Sequence, residues 1–236
     1  MLMYLFKNSK SLRENYNKIY DIKFKKIYSL YLLLIVILLV SLFLPAPSNY
    51  LISLSNKSKL KGVDNIYDYY VPLSFAIVLL FSFFNDYNTT TYKIITFLNR
   101  NKFNYIIFYR WLLYTSIFCL GTFLTCMIYY RDISFLDIRS IILSIRFIPN
   151  IIFISSLVML SLTYFKNISV SILILSIYYC LDFTSSGHLF NLLSLGGNSN
   201  NFYYIISPLY YILNRIILLI LGFLFIFISC KKSSKL

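Results

Sequence analysis

The chain has 236 residues, of which 59% are hydrophobic and 13% are charged, and its formal net charge is +14. This composition leaves too little polar surface to cover a soluble globule of that size, so the sequence predicts an integral membrane protein. The basic residues cluster beside apolar runs, as is typical of cytoplasmic membrane loops, and this position argues against DNA or RNA as a partner.

A basic arm occupies residues 1–26, with seven Lys or Arg residues against two acidic ones. Ser11 and Glu14 have the spacing of a capping box, and apolar residues then recur at helical intervals. The pattern predicts an interfacial helix that lies among the lipid headgroups. No small-residue cleavage site follows the first apolar run, so we do not expect a cleavable signal peptide.

Six apolar runs follow, of which the second is short for a crossing of the roughly 30 Å hydrocarbon core. They predict an all-α transmembrane domain over residues 27–230, followed by a basic tail over residues 231–236. Lys166 and Asn167 leave room for only a tight turn, which makes the fourth and fifth spans an antiparallel hairpin. The predicted spans are residues 27–44, 70–84, 105–129, 148–165, 168–183 and 205–228.

A polar, partly basic segment over residues 85–102 separates the second and third spans. At helical spacing Ile94 and Leu98 share one face, whereas Lys93 and Asn99 face away from it. The Asp, Asn and Thr residues at its start suit a helix N-terminus, and the basic residues at its end suit a C-terminus. We expect a short amphipathic helix that either rests on the lipid surface or docks onto a cytoplasmic partner.

The distribution of Lys and Arg residues predicts the orientation of the chain in the membrane. With both termini inside, the cytoplasmic segments carry fourteen of the 22 Lys and Arg residues, and the opposite loops carry six. The positive-inside rule therefore places both termini and residues 85–102 in the cytoplasm. The bias toward Lys, Ile, Asn, Tyr and Phe is typical of an AT-rich coding sequence and favours the cytoplasmic membrane of a bacterium.

Three ionisable residues fall in or near the apolar runs, where burial of a charge costs at least a few kcal/mol. Arg110 is close enough to the cytoplasmic boundary to anchor in the headgroups, with substrate handling as the alternative. Arg215 is deeper, and we predict that it pairs with Asp182 across the fifth and sixth spans. A charge that faces a substrate is the alternative for Arg215.

The cysteine and histidine content gives little support for catalysis or metal binding. The four cysteines have no CxxC spacing and are expected in the core, and the one histidine, His188, is expected to be exposed. Cys180 and His188 are the nearest pair for a cysteine peptidase, with Asp182 as the only orienting group. No HExxH ligand set for a metallopeptidase is present.

The arrangement resembles the permease subunit of type-2 ABC exporters: six spans, an interfacial basic helix, a cytoplasmic helix after the second span and a broken apolar segment before the sixth. In that family an acidic residue, a Gly-Thr or similar pair, an amphipathic helix and a basic residue follow the second span. This chain has neither the glycine nor the proline that often precedes the basic residue. Arg110 matches a basic residue just inside the third span. The matching ATPase-coupling positions are Asp86, Thr89, Thr90, Tyr92, Ile94, Ile95, Phe97, Leu98, Arg100 and Lys102.

The resemblance implies a permease that moves amphipathic or antimicrobial peptides and whose coupling helix sits in a groove of an ABC ATPase subunit. The N-terminal helix would be the connecting helix, and the permease would work as a homodimer or heterodimer among membrane lipids. The chain lacks GxxxxGK[ST], so ATP and Mg belong to the partner and this chain is not expected to be an enzyme. The alternatives are an exporter of lipid-linked or drug-like molecules and a non-transporting membrane immunity or anchor protein.

Overall fold

The computed structural model describes six stretches of the chain, and every regular element within them is helical. Most of the predicted interfacial helix and all of residues 88–102 lie outside these described residues. The described stretches are residues 24–46, 65–87, 103–133, 135–185, 187–196 and 208–233.

The helices in the described chain follow the apolar runs of the sequence. A π-helical turn, Ile66–Tyr70, leads directly into α2, and a 3-10 turn, Asn191–Leu193, lies between the last two helices. The α-helices are α1 (Phe24–Phe43), α2 (Val71–Tyr87), α3 (Phe103–Tyr129), α4 (Ile138–Ile145), α5 (Ile148–Phe165), α6 (Ile168–Thr184) and α7 (Pro208–Ser233).

Four stretches of the described chain are long and apolar enough to cross a membrane: Ile66–Phe84, Ile107–Tyr129, Ser140–Phe165 and Leu209–Ser233. The protein is therefore a membrane protein whose described part is all-helical. The α1 and α6 regions contribute shorter apolar helices.

Several helix ends differ from the predicted spans. Helical structure before α2 begins at Ile66, which places Asp68 inside a helical turn, whereas the predicted second span begins only at residue 70. At the other end of the chain α7 continues to Ser233, where Lys231 and Lys232 suit a helix C-terminus. The earlier start of helical structure before α2 is accompanied by burial of this turn, in which Asp68 is only 2% exposed.

The bundle is organised around α5, which packs against α2, α3, α6 and α7. It approaches α7 closely at Gly222, where an added Cβ would lie 2.9 Å from the Ile152 side chain. Aromatic and hydroxyl contacts join the other helices. The rings of Phe75 and Phe118 stack at 4.1 Å between α2 and α3, and Trp111 on α3 donates a hydrogen bond to Ser155 on α5.

Candidate functional site

Buried polar side chains concentrate at the end of the bundle where α5 and α7 begin and α6 ends. We call this the network end, and we call the opposite end, where α2 finishes at Tyr87, the Tyr87 end. At the network end Asp68, Asn150, Asp182 and Arg215 are each at most 6% exposed. Four buried polar side chains thus come from four helical elements.

Arg215 is the centre of this network. Its Nη2 atom lies 3.2 Å from Oδ1 of Asp68, which makes a buried ion pair between α7 and the turn before α2. Its Nη1 atom donates to Oδ1 of Asn150 and to the Leu195 carbonyl, the latter at 2.9 Å. The guanidinium also lies over the Tyr211 ring at 4.6 Å. Arg215 therefore connects three parts of the chain that are distant in sequence.

Asn150 completes the arrangement from α5. Its amide nitrogen donates to Oδ1 of Asp68 at 3.0 Å and to the Leu195 carbonyl at 2.9 Å. Because the amide supplies both a donor and an acceptor, it bridges the carboxylate and the guanidinium. The Asp68 carboxylate and the Leu195 carbonyl each receive hydrogen bonds from both Asn150 and Arg215.

Side chains of α6 and α7 also hold residues 192–195, which begin within the 3-10 turn, against the helices. Asn214 donates to the carbonyls of Leu192 and Ser194 at 2.8 and 3.0 Å, and Tyr178 donates to the carbonyl of Leu193 at 2.6 Å. The Leu195 amide donates to Oδ2 of Asp182 at 3.0 Å. Buried backbone groups need hydrogen-bond partners, and here side chains of α5, α6 and α7 supply them.

These contacts correct the predicted ion pair. In the described chain Arg215 pairs with Asp68, and no ion pair joins it to Asp182. The two predicted residues are nevertheless in one network, because Leu195 accepts from Arg215 through its carbonyl and donates to Asp182 through its amide. The predicted pairing of Arg215 with Asp182 was therefore wrong.

Asp68 and Asn150 are the members that sequence reasoning missed. Asp68 lies 147 residues before Arg215, so no local spacing relates the two. A usable signal was present in its surroundings, since Asp68 stands between Tyr67 and Tyr69 in a run that continues into an apolar span. An acidic residue in that position is a candidate for burial with a basic residue of similar depth.

Of the remaining predicted site residues, Arg110 lies on α3 toward the Tyr87 end. The Arg110 guanidinium is 4.5 Å from the centre of the Phe83 ring, a contact between α3 and α2 that neither of its two predicted roles included. Asp86 belongs to the last turn of α2, and its side chain is outside the described residues. The other predicted coupling residues also lie outside the described residues: Thr89, Thr90, Tyr92, Ile94, Ile95, Phe97, Leu98, Arg100 and Lys102.

Hydroxyl groups join three helices at the Tyr87 end. The Tyr87 side chain is fully buried, and its hydroxyl accepts a hydrogen bond from Thr163 on α5 at 3.2 Å. It also lies 3.3 Å from the hydroxyl of Ser233, the last residue of α7. Nearby, the Lys232 ammonium lies 3.2 Å from the centre of the Tyr164 ring. The end of α2 is therefore fixed to both α5 and α7.

The cysteine and histidine predictions have mixed outcomes. His188 is exposed, as predicted, and Cys126 and Cys230 are buried. Cys180 is exposed on the surface of α6, so the expectation that it is a core residue was wrong. No group of three or more His, Cys, Asp or Glu side chains gathers among the described residues. The polar groups at the network end are carboxylate, amide and carbonyl oxygens and the Arg215 guanidinium.

The network end buries an ion pair together with backbone groups, and the hydroxyl contacts at the Tyr87 end join three helices. Comparison of the chain with family models, with curated proteins and with solved structures finds no match.

Proposed function

We propose that the chain is the transmembrane permease subunit of an ATP-driven type-2 ABC exporter in a bacterial cytoplasmic membrane. In this proposal α1 and α6 cross the membrane together with the four longer apolar helices, which gives six spans and places both termini in the cytoplasm. The short apolar lengths of α1 and α6 are accommodated by local bilayer thinning or by flanking residues that reach the interface.

The observation that carries the proposal is the attachment of Tyr87. Residues 88–102, which contain the proposed coupling helix, continue the chain from this residue. Because the Tyr87 hydroxyl bonds to Thr163 and Ser233, displacement of the coupling helix would act on α2, α5 and α7 together. A cytoplasmic ATPase that moves this segment would thus have direct mechanical access to half of the six spans.

ATP and Mg would be bound by a separate ABC ATPase subunit, and a second permease, identical or related, would complete the transporter. The amphipathic face formed by Ile94, Ile95 and Leu98 is suited to burial in a groove of that ATPase. The proposed cargo is an amphipathic or antimicrobial peptide, and lipid-linked or drug-like molecules form the second class of cargo.

The test is co-purification with an ABC-type ATPase, chosen from those encoded near the gene. The tagged chain and the ATPase are co-expressed and extracted in mild detergent, and vanadate-sensitive ATP hydrolysis is measured on the eluted complex. Changing Ile94, Ile95 and Leu98 together to Asp should abolish association, because three charges cannot be desolvated in an apolar groove. The amount of chain in the membrane fraction should stay unchanged.

The matched control places Asp at Lys93 and Asn99, on the opposite face of the same helix. This variant should retain the ATPase and its hydrolysis. If the triple variant keeps the complex, the coupling-helix assignment fails. If the unchanged chain binds no ATPase but alone protects cells from an antimicrobial peptide, the immunity or anchor function replaces the exporter.

A further inference from the structure

The described side chains of α4 are arranged in the reverse of those on a helix that borders water. Ser140, Leu143 and Ser144 are buried, so two hydroxyl groups face the protein. A helix on a water-facing surface normally turns its apolar side chains inward and its polar side chains outward. The exposed side chains of α4 in the described chain are those of Ile138, Ile141, Ile142 and Ile145.

The turn before α4 extends this exposed apolar surface through Phe135 and Leu136. Leu136 is 68% exposed and has a φ of 60°, in the left-handed region that residues other than glycine rarely adopt. Single exposed apolar residues are ordinary, but here more than half of residues 135–145 are large, apolar and exposed. A patch of this kind indicates contact with a partner or with lipid. We call Phe135, Leu136 and the four isoleucines of α4 the α4 surface.

The α4 helix lies at the level where a membrane span ends. It packs against α3. Arg146, which follows α4, donates a hydrogen bond at 3.0 Å to the hydroxyl of Tyr130, which follows α3. The end of α3 belongs to the span-length stretch Ile107–Tyr129, on which Leu120 and Leu124 are themselves exposed. The α4 surface therefore stands beside the end of a span whose own exposed side chains include large apolar ones.

The end of α1 is held at the same level. The guanidinium of Arg131, just after α3, donates to the carbonyls of Ser41 and Leu42 in the last turn of α1, the latter at 2.9 Å. The two residues that follow, Phe43 and Leu44, are exposed. The exposed apolar side chains at this end of the bundle thus include those of α1 as well as the α4 surface.

We propose that the α4 surface lies in the interfacial layer of the bilayer at the network end, and that its partner is the acyl chains of the surrounding lipid. With eight residues α4 is about 12 Å long, which is too short to cross a hydrocarbon core of roughly 30 Å. A helix with an apolar face can instead lie along the boundary between headgroups and acyl chains. Its place beside the end of a span favours lipid over other apolar partners.

This lipid contact would bear on the buried network. Only Arg146 and Phe147 separate α4 from α5, whose first turn carries Asn150. Asn150 in turn bonds to Asp68 and Arg215. The depth of α4 in the leaflet would therefore influence the network through one short turn. This inference does not depend on the exporter function, and its test needs no ATPase.

The experiment uses the purified full chain in lipid nanodiscs, with tryptophan fluorescence as the probe. Trp111→Phe removes the native emission, and Ile142→Trp then places the probe on the α4 surface. Phosphatidylcholine brominated near the carbonyl end of its acyl chains should quench this emission strongly, whereas iodide in the water should quench it weakly. Phosphatidylcholine brominated near the methyl end should quench it less, because α4 lies close to the boundary of the hydrocarbon layer.

Two control positions define the depth scale. Leu224 is exposed on α7, midway between Arg215 and Ser233, so Leu224→Trp should be quenched most by bromine near the methyl end of the chains. Asp132 is an exposed polar residue in the turn after α3, and Asp132→Trp should be quenched most by iodide.

A second probe position keeps the test available if the Ile142 variant does not fold. Phe135→Trp exchanges one aromatic side chain for another on the same surface and should give the same order of quenching. If Trp111→Phe itself does not fold, Trp111 is kept, and its quenching in the unchanged chain is subtracted.

Two results would overturn the proposal. Emission that iodide quenches and neither brominated lipid quenches would place the α4 surface in water. Emission that no reagent quenches would show that protein covers the surface, and a second copy of the chain would replace lipid as its partner.

Discussion

Arg215 should be the residue on which the stability of the network end depends most. Arg215→Met retains much of the side-chain volume but leaves the Asp68 carboxylate without its buried counter-ion. It also removes the hydrogen bonds that Arg215 donates to the side-chain oxygen of Asn150 and to the Leu195 carbonyl. Removal of one partner of a buried ion pair typically costs about 3–5 kcal/mol, and we expect a loss of unfolding free energy in that range.

A double-mutant cycle identifies the partner. Asp68→Asn keeps an oxygen that can face Arg215, so we expect it to cost about 1–3 kcal/mol. The Asp68→Asn, Arg215→Met double variant should lose less than the sum of its parts, with a coupling energy of about 1–3 kcal/mol. The corresponding cycle with Asp182→Asn should give a smaller coupling, because Leu195 separates Asp182 from Arg215.

Trp111 offers the readout for these measurements. It is the single tryptophan of the chain, and it is buried between α3 and α5, where it donates a hydrogen bond to Ser155. Its fluorescence during SDS titration in mixed micelles should report opening of the bundle. The reasoning is refuted if Arg215→Met costs less than about 1 kcal/mol, or if Arg215 couples as strongly to Asp182 as to Asp68.

Two further predictions concern contacts between helices, and the same unfolding assay checks both. Tyr87→Phe should cost about 1 kcal/mol, because it removes the hydroxyl that bonds to α5 and α7; an unchanged unfolding free energy would remove this link between the helices. Gly222→Ala should cost about 1–3 kcal/mol, because the new Cβ meets the backbone of Ile152 as well as its side chain. Gly121→Ala is its control and should cost less, since its Cβ meets only the flexible end of Leu34; equal losses would contradict this reasoning.

The helices were predictable because their apolar runs are long. Predicted spans such as residues 105–129 and 148–165 correspond closely to α3 and α5, since in a membrane protein length and hydropathy decide where a helix lies. The start of the helical structure before α2 was not predictable in this way. The run there includes Asp68, whose burial depends on a partner 147 residues away.

The candidate site was predictable only in part, for the same physical reason. Arg215 and Asp182 are visible as charges within or beside apolar runs, but the choice between Asp68 and Asp182 as the partner of Arg215 is made by tertiary packing. The role of Leu195 has no sequence signal, because it acts through its backbone amide and carbonyl. Backbone groups of an irregular segment can be assigned partners only when the fold is known.

The two polar ends of the bundle are related through α7. Arg215 and Ser233 are separated by 18 residues, or about 27 Å along an α-helix, which is close to the thickness of the hydrocarbon core. The two sets of polar contacts on α7 are thus separated by about the thickness of a hydrocarbon core. Gly222 lies between them, where α7 approaches Ile152 on α5. A movement of Tyr87 that keeps its hydrogen bonds must carry α5 and α7 with it. Because Asn150 of α5 and Arg215 of α7 are bonded to each other and to Asp68 at the network end, those contacts should resist that movement. Variants at the network end are therefore the ones with which to measure the resistance.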